Sequence, residues 1–509
     1  MSAKRLITGS GLRTIALIIG MAISFFMMPF LIRNLGDHWY GVWILVASTL
    51  GFYGMFDLGI ASATQRYIAH ALGEHDQERL NSIFSNSLFI YTFIAVIAVL
   101  ASIAIAVSAP VFFTGKDDAQ VFQTIILVMG STFSIHFIMN AYYGILSAYL
   151  RFDIQSYIDI SKSILRAITI FLIFQIDASV INLALITVLF DLISQLLVLR
   201  FAKREANWLD PKIALVKKEG VFELLDFGVN SLVMFIGRQV RDRGPHMVIA
   251  GALSISTVTL FQIASQLIQY INQLQSSILG VLMPSFTRLL GERKHDQLSK
   301  NYDFSLKVSA LISSCLCGGL ISLGNSFIVF WIGPEYNEAY IAVSAMAIGY
   351  FFVLLHYPTF QLLVSLAEHK YFSRYELLES LLIVLVTIVL SKSYGISGIA
   401  VGIGVTLAVS RFLVLPLLLS MAWNKPARKT YYSTLYFTAI SLALHYPVYL
   451  ILKSFSDNHS FLLALLMAIP LYLSYVSVYV LFVTNESEKS IIKSNLKSLL
   501  PLKWTGNRN

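Results

Sequence analysis

Gly237-Arg238-Gln239-Val240-Arg241-Asp242-Arg243-Gly244-Pro245-His246 lies between two apolar runs, 224–236 and 247–253. By hydropathy the stretch belongs inside a bilayer. A charged side chain at the centre of a membrane helix costs roughly 2.5–3.5 kcal/mol on insertion scales, so three arginines and an aspartate cannot face lipid. They face a protein-lined, water-filled interior or one another. Arg238 and Asp242, spaced i, i+4, are expected to pair. Arg241 and Arg243 are then left over, with Gln239 and His246 nearby. A guanidinium offers a planar fork of donors and a charge that no accessible pH removes, which suits phosphate. A helix opening at Gly244-Pro245 would add backbone donors.

The rest of the chain supports a membrane setting. Of 509 residues, 57% are hydrophobic and 13% charged, and the mean hydropathy is +0.72. Those values exclude a soluble or disordered chain and leave an all-α polytopic membrane protein. With about 20 apolar residues per crossing, about fourteen spans are expected: 10–32, 40–63, 83–109, 120–146, 155–175, 179–200, 224–250, 254–287, 303–330, 338–366, 375–391, 396–421, 432–452 and 459–483. The eighth is long enough to tilt or to bend near Pro284. The leading apolar stretch has no small-residue cleavage site and is read as a retained span, not a signal peptide.

Lysine and arginine fix the expected orientation. Connections on the side of the N-terminus carry Arg66, Arg79, Arg151, Arg200, Lys203, Arg204, Lys212, Lys217, Lys218, Arg288, Arg293 and Lys294. The opposite side carries only Arg33, Lys116, Lys392 and Lys453. Both termini are therefore expected in the cytoplasm, and the net charge of +9 reads as topology and not as nucleic-acid binding. The basic connection 202–223 divides an N-terminal six-helix lobe, 1–201, from a C-terminal one, 224–421; spans 422–484 are an addition. An internal echo supports the division. Leu72-Gly73-Glu74-His75-Asp76-Gln77-Glu78-Arg79-Leu80 follows the second span, and Leu290-Gly291-Glu292-Arg293-Lys294-His295-Asp296-Gln297-Leu298 follows the eighth. Two repeats of six spans enter the membrane in the same sense, which places their pseudo-two-fold axis along the membrane normal with a cavity between the halves. The tail 485–509 reads as a basic amphipathic helix on the anionic leaflet, with Lys489, Lys493 and Lys497 every four residues.

Other charges fall inside spans. Arg166 and Asp191 lie at matched depth in adjacent helices and are expected to pair; Arg13 and Asp57 are similarly close in depth and either pair with each other or serve transport. Asp159, Lys162 and Arg166 share one helical face and would alternatively line a cytoplasmic entrance. Arg411 has no partner in its own helix. His136, Asn140, Tyr142, Tyr143, His356 and Tyr357 either line a sugar path or serve as packing positions. Cys315 and Cys317 read as small buried side chains and not as metal ligands. The chain carries no phosphate-binding glycine loop, metalloprotease helix motif or nucleophile elbow. No expected external loop is long enough for a catalytic site, so an enzyme is disfavoured.

Several motifs, in order, resemble those of a known family. They are Met28-Pro29-Phe30-Leu31-Ile32-Arg33-Asn34-Leu35-Gly36 with Tyr40-Gly41-Val42-Trp43, Phe56-Asp57-Leu58-Gly59-Ile60, Arg66-Tyr67-Ile68-Ala69, Met283-Pro284, Trp331-Ile332-Gly333-Pro334-Glu335-Tyr336 and Tyr394-Gly395-Ile396-Ser397-Gly398-Ile399-Ala400. Together they resemble the polysaccharide transporter family, the O-antigen-type flippases of the multidrug/oligosaccharidyl-lipid/polysaccharide (MOP) exporter superfamily. The resemblance implies two six-helix lobes working by alternating access in the bacterial inner membrane. It implies an undecaprenyl-pyrophosphate-linked oligosaccharide as cargo, with polysaccharide polymerase and glycosyltransferases as functional partners. Cationic cavity residues would hold the pyrophosphate, with Arg238, Arg241 and Arg243 first and Arg13, Arg66, Arg166 and Arg411 behind them. Family members often carry an isolated acid in the seventh span. Here Asp242 sits within an arginine cluster, which suits organising Arg238; Asp57 and Asp191 are the other coupling or ion-pair candidates. No cofactor or metal is expected, and the energy would come from an ion gradient or the membrane potential. The rival readings are a cation-coupled multidrug antiporter of the same superfamily and a membrane polysaccharide polymerase or glycosyltransferase.

Overall fold

The computed structural model describes residues 3–57, 59–113, 115–366, 369–423, 426–458, 460–486 and 488–489. Among them there is no strand. The helices are α1 (Ala3–Gly51), α2 (Ile60–Glu74), α3 (Gln77–Phe112), α4 (Lys116–Ala148), α5 (Phe152–Phe174), α6 (Val180–Glu205), α7 (Lys218–Ala252) and α8 (Ile255–Leu279). They continue as α9 (Leu282–Gly291), α10 (His295–Trp331), α11 (Ala339–Leu355), α12 (Tyr357–Ser365), α13 (His369–Trp423), α14 (Ala427–Asn458) and α15 (Phe461–Val483). The protein is an all-α, multi-pass membrane protein, and thirteen of the fourteen expected spans fall on these helices; the second, 40–63, instead leaves the α-helix after Gly51 and runs through a 3-10 turn, Phe52–Asp57, towards α2. The expected tail helix lies outside the described residues except at Asn485, Glu486, Glu488 and Lys489.

Glycine and proline set the difference between spans and helices. α1 carries two spans joined at Gly36 (φ 75°, ψ 167°), and α13 carries two joined at Gly395 (φ 56°, ψ −146°). Only glycine takes such angles without the steric cost of a Cβ. The eighth span breaks at 280–281, just before Pro284, and the tenth breaks at His356, just before Pro358. A proline ring displaces the carbonyl four residues earlier and donates no hydrogen bond, so each apolar run continues as a second, short helix.

By packing, the described residues up to Gln262, with Ser373–Ile396, form one compact unit; Ile263–Phe372 and the described residues from Ser397 form the other. These units are not the sequence repeats, because α7 and the first half of α13 pack with α1–α6. In the first unit, α7 is tied to its neighbours at several points. Gln239 Nε2 donates to the Gly51 carbonyl at 2.5 Å. The connection preceding α7 is pinned along α3: Asn81 donates to the Trp208 carbonyl, and the Asp210, Lys212 and Lys217 amides donate to Asn81, Ser85 and Asn86. A polar face on an otherwise apolar helix is thereby satisfied by loop backbone.

In the second unit, α14 and α15 dock on α10. Ser314 and Tyr475 share a 2.5 Å hydrogen bond, Tyr479 donates to the Lys307 carbonyl at 3.1 Å, and Lys307 Nζ meets Glu488 at 2.8 Å. α11 and the second half of α13 cross at Gly349 and Gly404, close enough that a Cβ on Gly404 would stand 2.2 Å from the Ala345 oxygen. Small residues at helix crossings let backbones approach where lipid supplies no hydrophobic drive.

The internal echo of the sequence is a backbone echo as well. His75 (φ 59°) and Arg293 (φ 57°) occupy the same place in it, and both are left-handed. Each donates to the carbonyl three residues back, Leu72 or Leu290, and the next amide reaches five back, to Ala71 or Leu289. This is a Schellman closure with the usual glycine missing. Leu80 and Leu298, five positions on, are both buried. A non-glycine residue in this conformation costs roughly 1–2 kcal/mol. His75→Gly and Arg293→Gly are each expected to raise stability by up to about 1 kcal/mol, measured as the thermal midpoint in detergent. A fall at either site would mean that its side chain contributes more than its backbone strain removes.

Candidate functional site

The charged stretch of α7 is continuous helix through Pro245, so the expected opening at Gly244-Pro245 does not occur. The pairing also differs from expectation. Asp242 binds its neighbour Arg241, with Nε to Oδ1 at 3.1 Å, and not Arg238. Arg241 reaches across to the first half of α13, meeting Glu376 at 3.0 Å and Glu379 at 3.8 Å. Their side chains are 5% and 0% exposed, and Tyr375 donates a further 2.5 Å hydrogen bond to Glu379. Gly237 and Gly244 bring the two helices together: a Cβ would stand 3.0 Å from the Leu377 nitrogen at the first and 2.7 Å from Val384 at the second. Gly237, Arg241 and Gly244, at i, i+4 and i+7, therefore form one seam.

Arg241 is thus not a surplus charge. Glu376 and Glu379 escaped the sequence reading, although two glutamates at i, i+3 inside the expected span 375–391 satisfy the same rule that picks out Arg241. With the carboxylates turned onto Arg241, the accessible cations of the charged stretch are Arg238, which is exposed, and Arg243, which is half-buried beside Gly51. Neither has a carboxylate within 4 Å among the described residues. His246 is fully buried, bonded to Gln262 at 2.8 Å and edge-on to Phe261; its place is in the packing.

The other expected pairs are also rearranged. Asp191 meets Lys162 Nζ at 3.4 Å and not Arg166. Lys162 and Arg166 lie one turn apart on α5, and the ammonium is the one that reaches α6. Arg166 is half-buried with no ion pair among the described residues. Asp57 accepts a 2.6 Å hydrogen bond from the Tyr91 hydroxyl and has no contact with Arg13, which is exposed. Arg66 is exposed in the middle of α2. Arg411, in the second unit, is 4% exposed and lies over the Phe372 ring at 5.7 Å. Nearby, His356 Nδ1 meets the Thr359 hydroxyl at 3.1 Å. Tyr142 is buried edge-on to Phe84, whereas His136, Asn140 and Tyr143 remain half-buried. Among the described residues no group of three His, Cys, Asp or Glu side chains is arranged to hold a metal.

The helical architecture is that of the MOP exporters. A structure titled "Lipid II flippase MurJ, inward closed conformation" superposes with a TM-score of 0.73 at 15% identity, covering 93% of this chain and 99% of that one. An inward-facing MATE-family multidrug transporter of the MOP superfamily superposes with a TM-score of 0.70, also at 15% identity, covering 81% and 99%. The Bacillus subtilis (strain 168) "Uncharacterized membrane protein EpsK" is 20% identical over 414 residues, 80% of this chain and 81% of its own. Residues 30–341 match the family described as "Polysaccharide biosynthesis protein", and the chain belongs to that family, in agreement with the polysaccharide-transporter resemblance of its motifs.

Proposed function

We propose that the protein is a flippase that moves undecaprenyl-pyrophosphate-linked oligosaccharide from the cytoplasmic to the outer leaflet of the bacterial inner membrane, by alternating access of two six-helix lobes. Surface-polysaccharide assembly is the process it serves, both termini lie in the cytoplasm, and polymerase and glycosyltransferases act before and after it. It is a transporter and not an enzyme, it uses no cofactor, and an ion gradient or the membrane potential drives it.

One observation carries this reading. Arg13, Arg166, Arg238 and Arg243 lie on apolar helices of one packing unit, are wholly or partly accessible, and have no carboxylate within 4 Å among the described residues. Unneutralised arginines at membrane depth need an anionic partner, and a lipid pyrophosphate supplies one. Their forks bind phosphate oxygens in pairs. Arg241 stands behind them as the residue that fixes α7 to α13. Asp191, the best carboxylate for a cation-coupled drug antiporter, is occupied by Lys162, which favours the flippase over that rival despite the shared fold.

The test is complementation of a strain lacking its polysaccharide flippase, read as surface polysaccharide at matched expression, with an export assay using the native sugar beside it. Arg238→Ala and Arg243→Ala are each expected to lower export about tenfold or more, the weight of a hydrogen bond to a charged group. Partial rescue by Arg243→Lys would show that charge counts for more than fork geometry. Full export by both alanine variants would remove the α7 arginines from the cargo path.

A further inference from the structure

Five ionisable residues of the first packing unit that the α7 site does not use gather on three successive helices. α4 contributes His136 and Tyr143, α5 contributes Asp159 and Lys162, and α6 contributes Asp191. The Lys162–Asp191 pair at 3.4 Å joins α5 to α6, and the rings of His136 and Tyr143 stand 6.0 Å apart on α4.

Each helix also has a bare apolar stripe: Leu127 and Ile135 on α4; Ile164, Leu165, Ile168 and Leu172 on α5; Leu185, Leu189, Ile193 and Leu196 on α6. Those stripes belong against lipid. At about 3.6 residues per turn the centre of the polar set lies about 130–155° around from the centre of the stripe on each helix. They nevertheless keep solvent access: Asp159 is exposed, and the other four are half-buried. A surface that is polar, accessible and turned away from lipid lines a watery path and not the bilayer.

Its chemistry differs from that of α7. Arg166 stays with the pyrophosphate arginines, so Asp159 and Asp191 outnumber Lys162 and the patch, net negative, offers no excess positive charge to a phosphate. It offers acceptors and donors side by side next to two flat rings, the set that matches a polyhydroxylated ring with hydroxyl edges and C–H faces. We infer that the α4–α6 patch is the subsite for the glycan of the lipid-linked cargo, separate from the arginines that take its pyrophosphate. This rests on the flippase reading.

The experiment uses the full-length protein in proteoliposomes with two probes: undecaprenyl pyrophosphate bearing a complete oligosaccharide repeat, and the same lipid bearing one sugar. Tyr143→Ala and Lys162→Gln are compared with wild type, with Tyr143→Phe as the conservative control. All three are first matched for thermal midpoint, so that loss of fold is not read as loss of site. Each lost sugar contact is expected to slow flipping of the oligosaccharide about 3–10-fold, while the single-sugar lipid moves within about twofold of wild type and Tyr143→Phe keeps most of its rate. Equal rates on both probes, whether undiminished or equally reduced, would overturn the glycan subsite and leave the flippase standing. Failure of wild type on both probes would overturn the flippase reading and the subsite with it.

Discussion

Arg241→Ala is expected to destabilise the protein by about 3–5 kcal/mol, the usual penalty for leaving a buried charge without its partner. The reason lies on α13. Glu376 and Glu379, 5% and 0% exposed, have Arg241 between them, and without it two carboxylates are confined inside a membrane protein without their shared guanidinium, Tyr375 still donating to Glu379. The loss should appear as a lower midpoint in detergent-induced unfolding, and it should be non-additive. Glu376→Gln with Glu379→Gln in the Arg241→Met background removes the charge imbalance and is expected to recover most of the lost stability, because neutral, well-packed replacements of buried ion pairs are often tolerated. A destabilisation below about 1 kcal/mol for Arg241→Ala would place the cluster in water, the range measured for exposed pairs. This prediction also separates roles within α7. Arg241→Ala should lose folded protein, whereas Arg238→Ala and Arg243→Ala should keep the fold and lose transport.

The second large effect is expected at the crossing of α11 and α13. A Cβ at Gly404 would meet the Ala345 oxygen at 2.2 Å, and one at Gly349 would meet the Gly404 oxygen at 2.4 Å. Both obstacles are backbone, so no side chain can rotate out of the way. Gly404→Ala must push the helices apart, with a cost typical of overpacking, about 1–3 kcal/mol. Gly349→Ala should cost about the same, and the double variant less than the sum, because once the helices have separated the second methyl enters space already opened. Additive losses would mean that the two glycines act at independent contacts. Gly395, also on α13, is different in kind. Nothing lies within 4 Å of a Cβ there, and its requirement is the positive φ alone.

Much of this architecture is legible in the sequence because bilayer thickness is a rigid ruler. Apolar runs of about 20 residues give the spans, and the glycines at 36 and 395 fall where the family-like motifs Asn34-Leu35-Gly36 and Tyr394-Gly395-Ile396 stand. The interior of the site is less legible. Depth alone pairs Arg166 with Asp191, yet Lys162, one turn away, takes the aspartate. Spacing alone pairs Arg238 with Asp242, yet Arg241 takes Asp242 from the adjacent position and two glutamates 135 and 138 residues onward. Periodicity reports which residues share a helical face, whereas pairing depends on which helix comes to face which. That is settled by helix approach at positions such as Gly237 and Gly244.

The discontinuity of the first packing unit carries a consequence for synthesis. Arg241 leaves the ribosome 135 residues before Glu376, a delay of roughly 7–27 s at about 5–20 residues per second. During that interval the guanidinium lacks both α13 carboxylates and keeps its neighbour Asp242 as a counter-charge. The N-terminal half cannot complete itself as it emerges, since it waits for a helix translated after several belonging to the other unit. A truncated product ending before Ser373 lacks that helix and is expected to accumulate in the membrane at a lower level than the full chain.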